Sequence, residues 1–196
     1  MLDKYVGVAK DGSFEVKGDM RAVYQVMVNT RQGLVRSMHG LLHRASLIAT
    51  RYAVCRKQFA NLDGSPGERK LLDYQTHMQK LGGIMSEAFI MGMTARYSDR
   101  MMVQMKKDMS AGNFALLDMM HHLSSGLKAW YCLMTHLGVD ELRMCCGGAG
   151  YSQYSLLPAI SEMVSSMPTL EGDTIVMAQQ NAKLLFKYVK VIQGKR

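Results

Sequence analysis

The sequence predicts an all-α fold: an antiparallel helical bundle of about four main helices, with a small β-hairpin at the N-terminus. Three observations carry this. Only 3 of the 196 residues are proline, against a usual share of about 5%, so long stretches are free to be helical. Between Asp19 and Lys57 the apolar residues Met27, Leu34, Met38, Leu41, Leu42, Ala45, Ile48 and Tyr52 recur near a helical period. Val6 and Val8 face Phe14 and Val16 across Asp11-Gly12, and Asp-Gly between alternating apolar residues is a hairpin signal.

Residues 19–57 predict one long helix, or two meeting near Gly33 or Gly40. Asn61-Leu62-Asp63-Gly64 predicts a loop. Ser65-Pro66-Gly67-Glu68 then predicts a helix start, with Ser65 as the cap, Pro66 at the first helical position and Glu68 completing a capping box. This second helix is expected to run from Pro66 towards Met109, thinned at Gly82-Gly83. Ser110-Ala111-Gly112-Asn113 breaks the pattern. A third helix is expected from Phe114 to His136, ended by Gly138. A short helix from Val139 leads to Cys145, another begins at Pro158, and a last one runs from Asp173 to about Ile192. With 48% hydrophobic residues, the length suits one buried core. Residues 1–18 read as a hairpin and junction, and 19–196 as one helical domain.

The formal charge is +8 and the pI about 9.4, which suits an anionic partner. Most basic residues nonetheless alternate with acids, as on solvated helix faces. The exception is the tail, where Lys183, Lys187, Lys190, Lys195 and Arg196 meet no acid, and there the helix dipole accounts for them. No aromatic-interleaved basic patch points to nucleic acid. Cys55, Cys132, Cys145 and Cys146 are too few and too irregular for a disulfide framework or a metal site, which implies a reducing compartment. His39 and His43 stand four apart without a third ligand and read as helix-face histidines, so no metal is expected. No apolar run is long enough to span a bilayer. Met1-Leu2-Asp3-Lys4 does not open a leader, and Gln193-Gly194-Lys195-Arg196 is not a peroxisomal address. Nineteen methionines read as core filling.

Chemistry concentrates between Arg143 and Gln180. Cys146-Gly147-Gly148-Ala149-Gly150-Tyr151 offers backbone N–H groups bare of Cβ to an anionic or flat ligand. Further on, Pro168-Thr169-Leu170-Glu171-Gly172-Asp173 sets an acid on a glycine hinge before a helix. Held at the mouth of an apolar pocket, Glu171 has the desolvation that raises a carboxyl pKa and suits a general base. Arg56-Lys57-Gln58-Phe59 joins a forked cation to an aromatic ring, a pairing suited to a pyrophosphate beside a flat heterocycle.

In this order, Cys-Gly-Gly-x-Gly-Tyr, Ser155-Leu156-Leu157-Pro158, Thr169-Leu170-Glu171-Gly172-Asp173 and Gln180 resemble the C-terminal helical domain of the peroxisomal acyl-CoA oxidases, within the acyl-CoA dehydrogenase superfamily. The resemblance continues upstream through residues 123–130, 72–76 and 51–59. It implies FAD as cofactor and acyl-CoA as substrate, with α,β-desaturation to trans-2-enoyl-CoA and release of hydrogen peroxide. Glu171 matches the family's base, and Gly172 backbone is positioned to polarise the thioester. Arg31 matches an arginine near the active site. Arg56, Gln58 and Phe59 match residues lying against the FAD of a neighbouring subunit, Gln75 matches a flavin-contacting glutamine, and Gly147, Gly148 and Asp173 complete the cofactor set. Leu156 stands where the family carries glycine, a position that can require positive φ.

The family's β-domain, which walls the flavin and acyl chain, is not among these residues, so the N-terminal hairpin is expected to be a remnant of the join to it. A homodimer or a larger assembly is implied, in the peroxisome, with a mitochondrial or other organellar complex as the alternative. Two functions stay open: an oxidase component completed by further chain, and a non-catalytic helical module built on the oxidase scaffold.

Overall fold

A computed structural model describes residues 6–17 and 21–194. The expected hairpin is present: β1 (Val6–Val8) and β2 (Phe14–Val16) pair antiparallel, Val6 opposite Val16 and Val8 opposite Phe14. Asp11 Oδ1 closes its turn by accepting from Ser13 N at 3.0 Å. The expected boundary after residue 18, the leader reading at the N-terminus, and Lys195 and Arg196 of the basic tail lie outside the described residues.

α1 (Arg21–Cys55) is one helix, unbroken at Gly33 and Gly40. Its buried face repeats every three or four residues through Val28, Gln32, Val35, Met38, Leu42, Ala45, Ala49 and Ala53. α2 (Gln75–Ser110) runs unbroken through Gly82-Gly83, and Gly112, at φ 80°, ends the pattern as expected. α3 (Ala115–Cys145) is the central helix, touching α1, α2, α5 and α6. The short α4 (Gly148–Tyr151), α5 (Leu157–Ser165) and α6 (Thr174–Gln193) complete the bundle. Met38 and Met91 in the main core, and Met105 and Met120 in a smaller cluster, are fully buried or nearly so and fill the core, whereas Met78, Met85, Met93, Met119, Met144 and Met163 are exposed and do not.

Two helix boundaries differ from expectation. No helix starts at Pro66. Instead β3 (Lys57–Ala60) and β4 (Glu68–Lys70) form a second hairpin, followed by a 3-10 turn at Leu71–Asp73. Gly67 sits at φ 108°, which no helix accepts, and the Ser65 hydroxyl donates to Asp63 Oδ1 at 2.7 Å rather than capping. Gly138 likewise does not end α3. A Cβ there would come within 2.9 Å of Leu42 Cδ1, so this glycine serves the close approach of α1 and α3.

Leu156 adopts φ 63°, ψ −6°, the left-handed conformation that a glycine takes without strain. The backbone keeps that shape although the side chain opposes it. Leu156→Gly is therefore expected to stabilise the chain by about 0.5–1 kcal/mol, strain relief exceeding the added unfolded-state entropy. A urea midpoint that falls would contradict this.

Candidate functional site

The residues after α1 are fixed through their backbones. Arg56 N–H donates to Tyr52 O at 2.8 Å, Arg56 O accepts from Leu71 N at 2.9 Å, and Tyr74 Oη donates to Gln58 O at 2.8 Å. This lays the side chains of Arg56 and Gln58 along an open cleft of about 460 Å³. Thr76, His77 and Lys80 of α2 form one wall, and Met144, Cys145, Cys146, Gly147 and Gly148 another. Among the described residues the Arg56 guanidinium makes no ion pair or hydrogen bond, which leaves it free for a ligand. Lys80 pairs with Glu141, joining α2 to α3 beside the cleft. His77 Nε2 is buried without a partner, and burial, followed by the Lys80 charge, holds its pKa below the ordinary value.

The glycine turn is half as bare as its sequence implies. Gly147 N–H donates to Met144 O at 2.9 Å, whereas Gly148 N–H has no backbone acceptor among the described residues. Burial pushes the Cys146 thiol up to about 11, which keeps it a thiol near neutral pH. Phe59 follows Gln58 at φ 62° with its ring exposed, and Gln75 opens α2 just before the cleft wall. Asp173 is not brought to the cleft: it caps α6, its Oδ1 accepting from Ile175 N at 2.8 Å.

Glu171 lies on the loop between α5 and α6, at φ 57°, next to Gly172 at φ 115°. Under this loop is a residue outside the motifs that carry the site. Lys128 of α3 has no exposed surface, and its ammonium donates to Pro168 O at 2.9 Å and to Gly172 O. Thr174 Oγ1 also reaches Pro168 O, at 3.1 Å. Arg31 of α1 is only 3% exposed. Its Nη1 donates to Ser125 Oγ at 3.2 Å and faces His121 Nδ1 at 3.4 Å, while its Nε has no partner. Burial pulls the pKa of both cations down, and Glu171 is among the charges opposing it. The carboxylate thus sits in the field of two buried positive groups. Among the described residues no apolar pocket encloses Glu171: it is exposed, and Leu170 beside it is 46% exposed. Gly172 N–H is engaged by Thr169 O at 3.3 Å, while Glu171 N–H has no acceptor among the described residues.

Past Arg31, a second cavity of about 650 Å³ opens between Tyr24, Phe114, Leu117, His121, His122 and Gln180. His121 joins the two regions through its contact with Arg31, and burial first, then the Arg31 charge, favours its neutral form. Lys128 had a signal in the sequence after all: with Met120, Ser124 and Cys132 it continues the buried face of α3 at four-residue spacing, so a charge was written into a core position. His77 and Lys80 had none, because their place in the cleft depends on the second hairpin.

The sequence profile described as "Acyl-CoA oxidase, C-alpha1 domain" matches residues 24–186, and the chain belongs to the acyl-CoA oxidase family. It is 34% identical to peroxisomal acyl-coenzyme A oxidase 1 of Mus musculus over all 196 residues, which cover 30% of that protein. Among solved structures, Arabidopsis thaliana acyl-CoA oxidase 1 superposes with a TM-score of 0.88 at 30% identity, over 95% of this chain and 28% of that one. Acyl-CoA oxidase-2 of Caenorhabditis elegans, solved bound with FAD, ascaroside-CoA and ATP, gives 0.89 at 30% identity, over 98% and 29%. The chain therefore spans about a third of the length of these relatives.

Proposed function

We propose that these residues form the helical part of a peroxisomal-type acyl-CoA oxidase, a FAD-dependent enzyme that converts acyl-CoA to trans-2-enoyl-CoA and releases hydrogen peroxide. One observation carries the reading: Arg56, Gln58, Gly147 and Gly148, distant in sequence, line one cleft. The cleft fits the polar end of FAD. Arg56 offers an unpaired forked cation and Gly148 a free N–H, a donor set suited to a pyrophosphate, while Lys80 lines the cleft with its charge already paired to Glu141. When bound, the flavin supplies the hydride acceptor and the reaction with oxygen.

The rest falls to this chain's own residues. Glu171 takes the α-proton of the acyl-CoA. Its free N–H is the donor available to the thioester oxygen, which needs polarising as negative charge develops. Arg31 and Lys128 set two buried positive charges against the loop that carries Glu171. Asp173 holds the start of α6, and with it the end of the loop. Among the described residues Glu171 and the cleft stay open to water, so the wall that excludes water is expected to come from further chain. By itself the 196-residue chain is expected to bind FAD weakly. Arg56→Ala should weaken that binding by about tenfold or more, the loss of a charge-assisted hydrogen bond. Equal affinity in a flavin-fluorescence titration would remove Arg56 from the site.

Exposed apolar side chains on α2 and α6, including Phe89, Ile90, Phe186 and Ile192, support a homodimer or a larger assembly. Light scattering that returns a monomer mass at micromolar concentration would contradict this. The non-catalytic alternative is favoured by the exposure of Glu171 alone, and an organellar complex would then supply its partners.

A further inference from the structure

A lysine with no exposed surface is an unusual core residue, because a methionine of similar length would fill the space without a charge to desolvate. Among the described residues no carboxylate forms a salt bridge with Lys128. Its hydrogen bonds go to the carbonyls of Pro168 and Gly172, the two sides of the loop that carries Glu171. Between these anchors the chain holds Glu171 at φ 57° and Gly172 at φ 115°. The first is a conformation that a non-glycine residue keeps only when its surroundings impose it. The loop has few other ties. Thr174 Oγ1 shares Pro168 O, and the bonds of Thr169, Leu170 and Gly172 are internal to the turn.

We propose that Lys128 is a positioning residue for Glu171: its buried ammonium draws the carbonyls of Pro168 and Gly172 onto one point and so fixes the strained turn that presents the carboxylate. This rests on reading Glu171 as the base, but the geometric claim stands apart from catalysis and is tested without it.

The test uses the full 196-residue chain and an endoproteinase that cleaves after glutamate. In the wild type, cleavage after Glu171 is compared with cleavage after Glu68 and Glu162, which are also exposed. Lys128→Met removes the charge and both hydrogen bonds at nearly constant volume. It is expected to raise the cleavage rate after Glu171 by about tenfold or more while the rates after Glu68 and Glu162 hold. In Lys128→Ala, n-propylammonium is expected to restore protection at Glu171, and n-propanol of the same length is not. Lys128→Gln, which keeps N–H donors without charge, replaces the methionine variant if that does not fold, and is expected to give an intermediate rate.

Unchanged cleavage after Glu171 overturns the proposal. So does a rise shared equally by all three glutamates, which marks Lys128 as a general stability residue. Equal rescue by alcohol and ammonium overturns the role of the charge. Failure of the base assignment would appear separately, as a Glu171→Gln variant that keeps its rate of flavin reduction.

Discussion

In the flavin-loaded state, Glu171→Gln is expected to lower the rate of flavin reduction by acyl-CoA by about 10²–10⁴-fold, the range that a positioned general base contributes. The substitution keeps the shape and the backbone N–H of residue 171 but removes the carboxylate assigned to accept the α-proton. Acyl-CoA binding should change little, since the free N–H that would meet the thioester oxygen belongs to the backbone. Removing an interaction made only in the transition state lowers the rate constant and spares affinity. Stopped-flow absorbance under nitrogen separates the two. A variant with reduced affinity and an unchanged limiting rate would make Glu171 a binding residue.

Gly150→Ala is expected to destabilise the fold by about 3 kcal/mol, at the upper end for overpacking. A Cβ on Gly150 would overlap the Arg143 carbonyl oxygen and come within 3.0 Å of the Arg143 carbonyl carbon and 3.2 Å of Cys146 Cβ. These are backbone and buried atoms at the end of α3, where no flexible side chain can yield. At this chain length the loss corresponds to a fall in Tm of about 6–12 °C. Gly148→Ala is the control, since nothing lies within 4 Å of its added carbon. If both variants melt alike, the close α3–α4 turn is not what Gly150 maintains.

Long helices were legible in this sequence because their signal is periodic and local. α1 follows from its apolar spacing, and α6 was expected from Asp173 to about Ile192, where the helix runs from Thr174 to Gln193. Boundaries were less so where tertiary contact decides them. Gly138 has the composition of a helix end, yet Leu42 of α1 fills the space that a side chain would need, and the helix continues to Cys145. Ser65-Pro66-Gly67-Glu68 has the composition of a capping box, but the φ of Gly67 and the bonds from Leu71 and Tyr74 turn it into a hairpin loop.

The candidate site divides in the same way. The residues of the cleft were named from motif order, and four of them meet. The atoms that stand free were not legible, because only the folded backbone shows that Met144 O engages Gly147 N–H and leaves Gly148, or that Thr169 O engages Gly172 and leaves Glu171. Lys128 was visible as a letter on an apolar face, but its partners lie about 40 residues away, at Pro168 and Gly172.

The most direct measurement compares flavin bleaching in two settings. One is the 196-residue chain mixed with FAD and a long-chain acyl-CoA without oxygen. The other is the same residues set into the mouse oxidase in place of the region they match, which spans all of this chain and 30% of that protein. The chain alone is expected to hold FAD weakly and leave it unbleached. The embedded residues are expected to hold FAD and bleach it, with bleaching lost in Glu171→Gln. An embedded form that binds FAD yet never bleaches would contradict the assignment of Glu171. Bleaching by the isolated chain at the embedded rate would contradict the need for a second wall.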